Sequence, residues 1–424
     1  MSELALRTEE VPNSTMRIAL LGYRSNPFSG GQGIYLKYLS RALVEAGHQV
    51  DVISGEPYPD LDPNVRLVKL PGLNLYAANN HVTALRPRHL RSMTDTFEWF
   101  SMLTGGFPEP YTFGRRLYRH FQQLHLRGTR YDIVHDNQSL SYGVLSLQQQ
   151  GLPLLTTIHH PITWDRDIAL THAENWQQRL LIRRWHNFLN MQTRVARQLQ
   201  HVVTVSERSR QDICAAFGIS PQRVHVVYNG VDTQAFRPEP DIARNPWQLI
   251  TTASADQPLK GTQHLIPAFA QLCQRFPKLR LTFVGRPKPG GVTERLIDSL
   301  GVRKRIRFLH GISAEEMRAL YASSAVAVVP SEYEGFGLPA AEAMACGTPV
   351  VTTDGGALPE VVGEAGRIVP AGNPDALASA IGELLQNPAG RALLGKLGRA
   401  RIEETFSWSR AASQMTALYQ QVLT

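Results

Sequence analysis

Ala325-Val-Ala-Val-Val-Pro-Ser-Glu-Tyr-Glu-Gly-Phe-Gly-Leu-Pro-Ala-Ala-Glu-Ala-Met-Ala-Cys-Gly-Thr-Pro-Val-Val-Thr-Thr353 decides the reading of this chain. Its ends, Ala325–Val329 and Pro349–Thr353, are short β-branched runs of the kind that form buried strands. Between them the spacing predicts a helix over Leu338–Ala345, with Pro339 in its first turn and Gly347 past its end. Strand, loop, helix and strand in succession place the loop at the carboxyl end of a parallel strand, where open α/β sheets bind ligands. Gly335 and Gly337 let the backbone approach a ligand. The amides around Phe336 to Leu338 can face an anion. Glu334 lies in the loop, and Glu342 is expected in the first helical turn. Two carboxylates around an anion-seeking floor suit a molecule with hydroxyls at its ends and phosphates in its middle, a sugar nucleotide.

Glu334 and Glu342, with seven residues between them in this setting of Gly and Pro, resemble the E-x7-E motif of the retaining glycosyltransferases of family 4. The resemblance implies the GT-B fold, in which two Rossmann-like domains face each other across a cleft. It implies that Glu334 contacts the donor sugar and that Glu342 binds the ribose hydroxyls. It extends over nearly the whole chain, through Asn229-Gly-Val-Asp232 at the crossing between domains to Asp354-Gly-Gly356 and Leu358-Pro-Glu-Val-Val362.

The 424 residues allow two domains. No apolar run is long enough to span a membrane, and the start of the chain lacks a signal-peptide layout. Cys214, Cys273 and Cys346 show no metal spacing, and buried free thiols in a reducing cytoplasm are expected. A formal charge of +8 favours an anionic partner.

Met16–Tyr23 reads as the first strand, and Asn26–Gly33 as a Gly-rich turn before a helix. This is not the dinucleotide G-x-G-x-x-G fingerprint, because Leu36 holds the third glycine position, and so a nucleotide-dependent oxidoreductase is disfavoured. It resembles the family's phosphate-side loop, which implies donor contacts from Gly30, Gly31 and Gly33. Further strands are expected at Val65–Leu70, Tyr131–Asp136, Leu154–His159, Val202–Ser206 and Val224–Tyr228. Trp176–Gln200 reads as one long basic amphipathic helix, either packed by its apolar stripe or lying on an anionic membrane. His159, with His160 in reserve, ends a strand at its carboxyl edge, where the family places a residue beside the donor sugar.

The second domain opens with a strand at Trp247–Ala253. Lys260 follows in a strand-to-helix loop, where it can bind phosphate as a point charge. The family pattern has an Arg shortly before that Lys, a place held here by Ser254 or Ala255. Arg286, after the strand Leu279–Val284, is the candidate to supply the charge. His310–Ile312 is a candidate contact for the base.

The expected fold is therefore α/β, with an acceptor-side domain over 16–228, a donor domain over 229–407 and a terminal helix 408–423 crossing back. The expected reaction moves a sugar from a nucleotide diphosphate sugar to an acceptor hydroxyl, with His159, Lys260 and Glu334 at its centre. No D-x-D motif or His/Cys cluster is present, so neither a metal nor another cofactor is expected. The acceptor is a lipid-linked or a soluble compound, and nucleic acid is not expected. A cytoplasmic location follows, with peripheral attachment to the inner membrane face if the acceptor is lipid. A sugar-nucleotide-binding scaffold without turnover is the alternative that the missing Arg suggests.

Overall fold

The computed structural model describes every residue except 1–14, 28–30, 79, 81–83, 85, 172, 174, 254 and 255. Gly30, Ser254 and Ala255 therefore lie outside the described residues.

Two parallel sheets organise the chain. The first contains β1 (Arg17–Gly22), β2 (Gln49–Ser54), β3 (Arg66–Lys69), β4 (Ile133–Asn137), β5 (Leu154–Thr157), β6 (Val202–Thr204) and β7 (Val224–Val226). Its strand order is β3-β2-β1-β4-β5-β6-β7. The second contains β8 (Asn245–Thr252), β9 (Arg280–Val284), β10 (Ile306–Leu309), β11 (Ser324–Val329), β12 (Val350–Thr353) and β13 (Arg367–Val369). Its order is β10-β9-β8-β11-β12-β13. Each sheet starts in its middle, runs outward one way, then returns to build the other half. The direction reverses between β1 and β4 and again between β8 and β11, the crevices where such sheets take ligands.

Residue chemistry explains the central strand. All six positions of β11 are buried, as expected for a parallel strand with helices on both faces. Val326 and Val328 join Leu249, Phe269 and Phe283 on one face, whereas Ala327 and Val329 join Ile250, Met344 and Ile402 on the other. The alternation is the two-residue period of a strand. The register sets Val326 beside Leu249 and Ala327 beside Val350.

By contact density the chain divides into two compact units. One comprises Met1–Thr157, Trp164–His201 and Ala412–Thr424, and the other Ile158–Thr163 and Val202–Ala411.

Several local expectations are corrected. Trp176–Gln200 is two helices, Trp176–Trp185 and Phe188–Ala196. The first buries none of its residues, while the second buries Leu189, Met191, Gln192 and Val195. Trp185 stacks on Phe107 at 5.1 Å, and Gln192 donates to the carbonyls of Gln138 and Ser139. One straight helix would have to present a single stripe to both surfaces. Strand β5 ends at Thr157, so His159 lies in the following loop. Gly31 and Gly33 lie in the first turn of the helix Gly31–Glu45 rather than in a loop before it. Cys273 and Cys346 are buried, but Cys214 is only partly so.

Candidate functional site

The loops after β8 and β11 meet at the crevice of the second sheet. Lys260 Nζ lies 2.7 Å from Glu334 Oε1, and Ser331 Oγ donates to the same oxygen at 2.8 Å. The ammonium keeps more exposure than the carboxylate, so it remains available to an anion from outside. Three hydrogen bonds to backbone carbonyls hold this geometry. The amide of Glu332 donates to Leu259 O, that of Ala357 to Glu334 O, and the Thr353 hydroxyl to Ser331 O. Glu334 is thus fixed by its backbone and by two side chains, with Lys260 as the counter-charge.

The loop enters the helix Leu338–Ala345 through Gly337 at φ 100°, and no side chain caps its first turn. The amides of that turn are the anion-facing end of the helix. The Phe336 side chain points elsewhere: it is buried and packs on Phe406 at 5.6 Å, so only its backbone can serve a donor. Glu342 is the fifth helical residue, one turn later than the sequence suggests. Burial pushes its carboxyl up to about 8, and a hydrogen bond from the Tyr321 hydroxyl works in the other direction.

The segment Ile158–Thr163 belongs to the same unit as these loops. A Cβ built on Gly335 would lie 3.1 Å from His159 O and 3.6 Å from the His160 side chain. The His160 and Tyr333 rings are 6.5 Å apart. Gly335 O accepts from Ser206 Oγ at 2.7 Å and Ser209 Oγ at 3.1 Å. His159 and His160 therefore sit beside the Glu334 loop, and the two serines pin that loop from below.

Arg286 is exposed and lies 2.8 Å from His310 Nε2, with each residue just beyond its strand. Asp256 connects this region to the Lys260 loop by accepting from the amides of Lys288 and Thr293 at 2.8 Å. In the first unit, a Cβ on Gly33 would lie 2.2 Å from Asn26 O, so the turn after β1 tolerates only glycine there. Among the described residues, no group of three or more His, Cys, Asp or Glu gathers as a metal site.

Sequence reasoning missed the serine supports, the Glu360 carboxylate that accepts from the amides of Glu207 and Arg208, and a partly buried ion pair in the first unit. In that pair Arg24 Nη1 lies 3.0 Å from Glu109 Oε2, and Arg24 stacks over Tyr76 at 4.3 Å. Burial pushes the Glu109 carboxyl up to about 7, against the pull of Arg24. The partners in these pairs are far apart in the chain, and no periodicity links them.

A family described as glycosyl transferases group 1 matches residues 232–401, and one described as Glycosyltransferase Family 4 matches residues 29–235. The chain is 46% identical to an MMP alpha-(1->4)-mannosyltransferase of Mycolicibacterium hassiacum, over 96% of this chain and 98% of that protein. It is 28% identical to a D-inositol 3-phosphate glycosyltransferase of Corynebacterium glutamicum, over 96% and 97%. The structure of sucrose-phosphate synthase from Thermosynechococcus elongatus matches with a TM-score of 0.71 at 26% identity, covering 96% and 98% of the two chains. Anabaena Alr3699/HepE, solved in complex with UDP-glucose, shares the fold with a TM-score of 0.68 at 19% identity, covering 96% and 100%.

Proposed function

The chain belongs to the group 1 glycosyl transferases, with their two-domain GT-B fold, and from that premise we propose a retaining hexosyltransferase that uses a nucleotide diphosphate sugar. The proposed sugar is mannose and the proposed acceptor a saccharide hydroxyl, on the strength of the relative that is 46% identical. The observation that carries the reading is the Lys260–Glu334 pair at 2.7 Å in the crevice of the second sheet.

In this reading the anomeric carbon–oxygen bond breaks and the diphosphate leaves with the electron pair. Lys260 Nζ and the amides of Phe336, Gly337 and Leu338 meet the developing charge. The acceptor oxygen bonds to the anomeric carbon from the face the diphosphate leaves, and its proton passes to a departing phosphate oxygen. Glu334 orients the sugar and forms no covalent adduct. Glu342 hydrogen-bonds the ribose, His159 the sugar hydroxyls, and Arg286 adds charge near the phosphates. Residues 229–407 hold the donor, and residues 16–228, which carry Gly31 and Gly33, form the acceptor side. No metal or other cofactor enters the proposed chemistry.

The test is turnover of a panel of nucleotide hexoses with oligosaccharide acceptors, with and without EDTA. The anomeric configuration of the product is read by NMR. Transfer of one hexose with retention, undiminished by EDTA, is the expected outcome. Donor binding without turnover on any acceptor would favour a scaffold, and an inverted product would remove the assigned geometry.

A second reading of the acceptor rests on one surface of the first unit. Met93, Phe97 and Phe100 on the helix Met93–Leu103 are exposed, as are Trp176, Leu180 and Leu181 on the helix Trp176–Trp185. Arg184 Nη2 ties the two helices by donating to Thr104 Oγ1 at 2.8 Å. Exposed apolar patches beside arginines suit an anionic membrane carrying a lipid-linked acceptor at the inner face of the cell membrane. Among the described residues no helix is long and apolar enough to cross a membrane. Flotation with anionic vesicles should then be lost in Phe100→Glu; absence of flotation in the wild type would exclude this acceptor class.

A further inference from the structure

We propose that a groove along the helix Pro388–Thr405 binds a small phosphorylated anion, at a place separate from the donor site. The groove encloses about 530 Å³ and is lined by Arg244, Arg391, Lys396 and Arg399, together with Gly347 and Ala392. Arg244 immediately precedes β8 and Gly347 precedes β12, so the groove lies at the amino edge of the second sheet. Lys260 and Glu334 follow β8 and β11, at the carboxyl edge. An eight-residue strand separates these edges by roughly 25 Å.

The helix contributes one continuous face. Arg391, Ala392, Gly395, Lys396 and Arg399 recur at the three- and four-residue spacing that aligns side chains. Small residues on that face leave the space, and cations rim it.

The charges do not balance. Among the described residues Glu403 is the only acidic one lining the groove, and it already pairs with Arg399 at 2.5 Å. Among the described residues no carboxylate forms an ion pair with Arg244, Arg391 or Lys396. Arg391 is only 8% exposed, and a cation so buried ordinarily has a counter-charge. Its Nη1 reaches only the carbonyls of Leu384 and Leu385, at 2.6 and 2.8 Å. Arg244 donates to the carbonyls of Ser324 and Gly347, at 2.5 and 3.2 Å. These carbonyls fix the guanidiniums but carry no full negative charge. Burial, and the like charge of Arg391, lower the Arg244 pKa.

An anion in the groove would neutralise this excess. Planar guanidiniums present paired N–H groups that match phosphate oxygens. The volume suits a small molecule rather than a macromolecular segment.

The probe is inorganic pyrophosphate, titrated against chloride of matched ionic strength while the melting temperature is followed. Three variants accompany the wild type: Lys260→Ala, which disables the donor site, and Lys396→Glu and Ala392→Trp, each made in the Lys260→Ala background, which reverse a charge and fill the groove. Lys396 and Ala392 are exposed, so both substitutions are compatible with folding. The proposal expects a saturable rise in wild type and Lys260→Ala, with affinity at least tenfold weaker in both groove variants. No saturable rise would overturn it. So would a rise lost in Lys260→Ala, or one that the groove variants leave unchanged.

Discussion

Gly261 is packed against Pro330 so closely that a Cβ on the glycine would lie 1.8 Å from the proline carbonyl oxygen. The glycine sits at φ 64°, directly after Lys260, and Pro330 opens the loop that holds Glu334. The distance between the two charged groups is therefore set by a backbone contact that no other residue permits. Gly261→Ala should lower stability by about 1 kcal/mol for the left-handed backbone, with a further loss from the clash. Turnover should fall as Lys260 is displaced. Gly301→Ala is the control, since Gly301 has φ 68° with open space around it. It should lose a similar backbone increment and keep full turnover.

The Lys260–Glu334 pair separates catalysis from stability. It is partly exposed, so its loss should cost under about 1 kcal/mol of folding stability. Lys260→Met removes the charge assigned to the leaving diphosphate, and kcat should fall about 10²- to 10³-fold. A purely structural pair would give the reverse pattern, a lower melting temperature with kcat intact.

Glu342 gives the fold a pH dependence with a definite sign. Its carboxyl titrates at about 8 in the folded chain against an ordinary 4.5. Between those values the folded chain keeps a proton that the unfolded chain releases. This group's contribution is therefore most favourable below pH 4.5, declines as pH rises toward 8, and is constant above it. Glu342→Gln should raise the melting temperature at about pH 8, by the equivalent of about 1–3 kcal/mol, and have little effect at about pH 5. Above about pH 8, where the wild-type carboxyl is ionised, the same variant should also weaken nucleotide binding roughly tenfold, through loss of a charged acceptor for the ribose hydroxyls. A lower melting temperature under the alkaline condition would show that the carboxylate is well solvated.

The second sheet was the legible half of the molecule. Val326 to Val329 are apolar without interruption because helices cover both faces of β11, and a run so short with no polar position fits a strand enclosed on both sides. The loop and helix that follow carry their own punctuation in Gly337 and Pro339. The break at His186–Asn187 left no such mark, since the amphipathic pattern runs through it and the cause lies in distant partners such as Phe107. The Ser206–Gly335 bond joins residues 129 apart and was equally invisible. Glycines at 31 and 33 read as a loop by propensity, yet the close approach of Asn26 O to Gly33 shows why the first helical turn needs a glycine there.

Arg286 tests whether the charge missing near Ser254 and Ala255 is replaced. Its guanidinium is exposed and stands 2.8 Å from His310, a geometry that an incoming diphosphate could share. Arg286→Glu should weaken nucleotide diphosphate binding by tenfold or more, and the loss should shrink at high salt. Unchanged affinity in a calorimetric titration would remove Arg286 from the donor site.

His159 and His160 both border Gly335, yet they differ in what the loop allows them to do. The His159 backbone carbonyl approaches Gly335, whereas from His160 it is the side chain that approaches it, with the ring 6.5 Å from Tyr333. The side chain proposed to contact the donor sugar is that of His159. His159→Ala should lower kcat by about 10²-fold with KM for donor nearly constant, since its hydrogen bond to the sugar strengthens as the bond breaks. His160→Ala should act mainly on stability, through lost packing on Tyr333, and leave kcat within a few-fold of the wild type. If the two variants exchange these phenotypes, the imidazole beside the sugar is that of His160, and the strand end at Thr157 is a poor guide to which side chain enters the site.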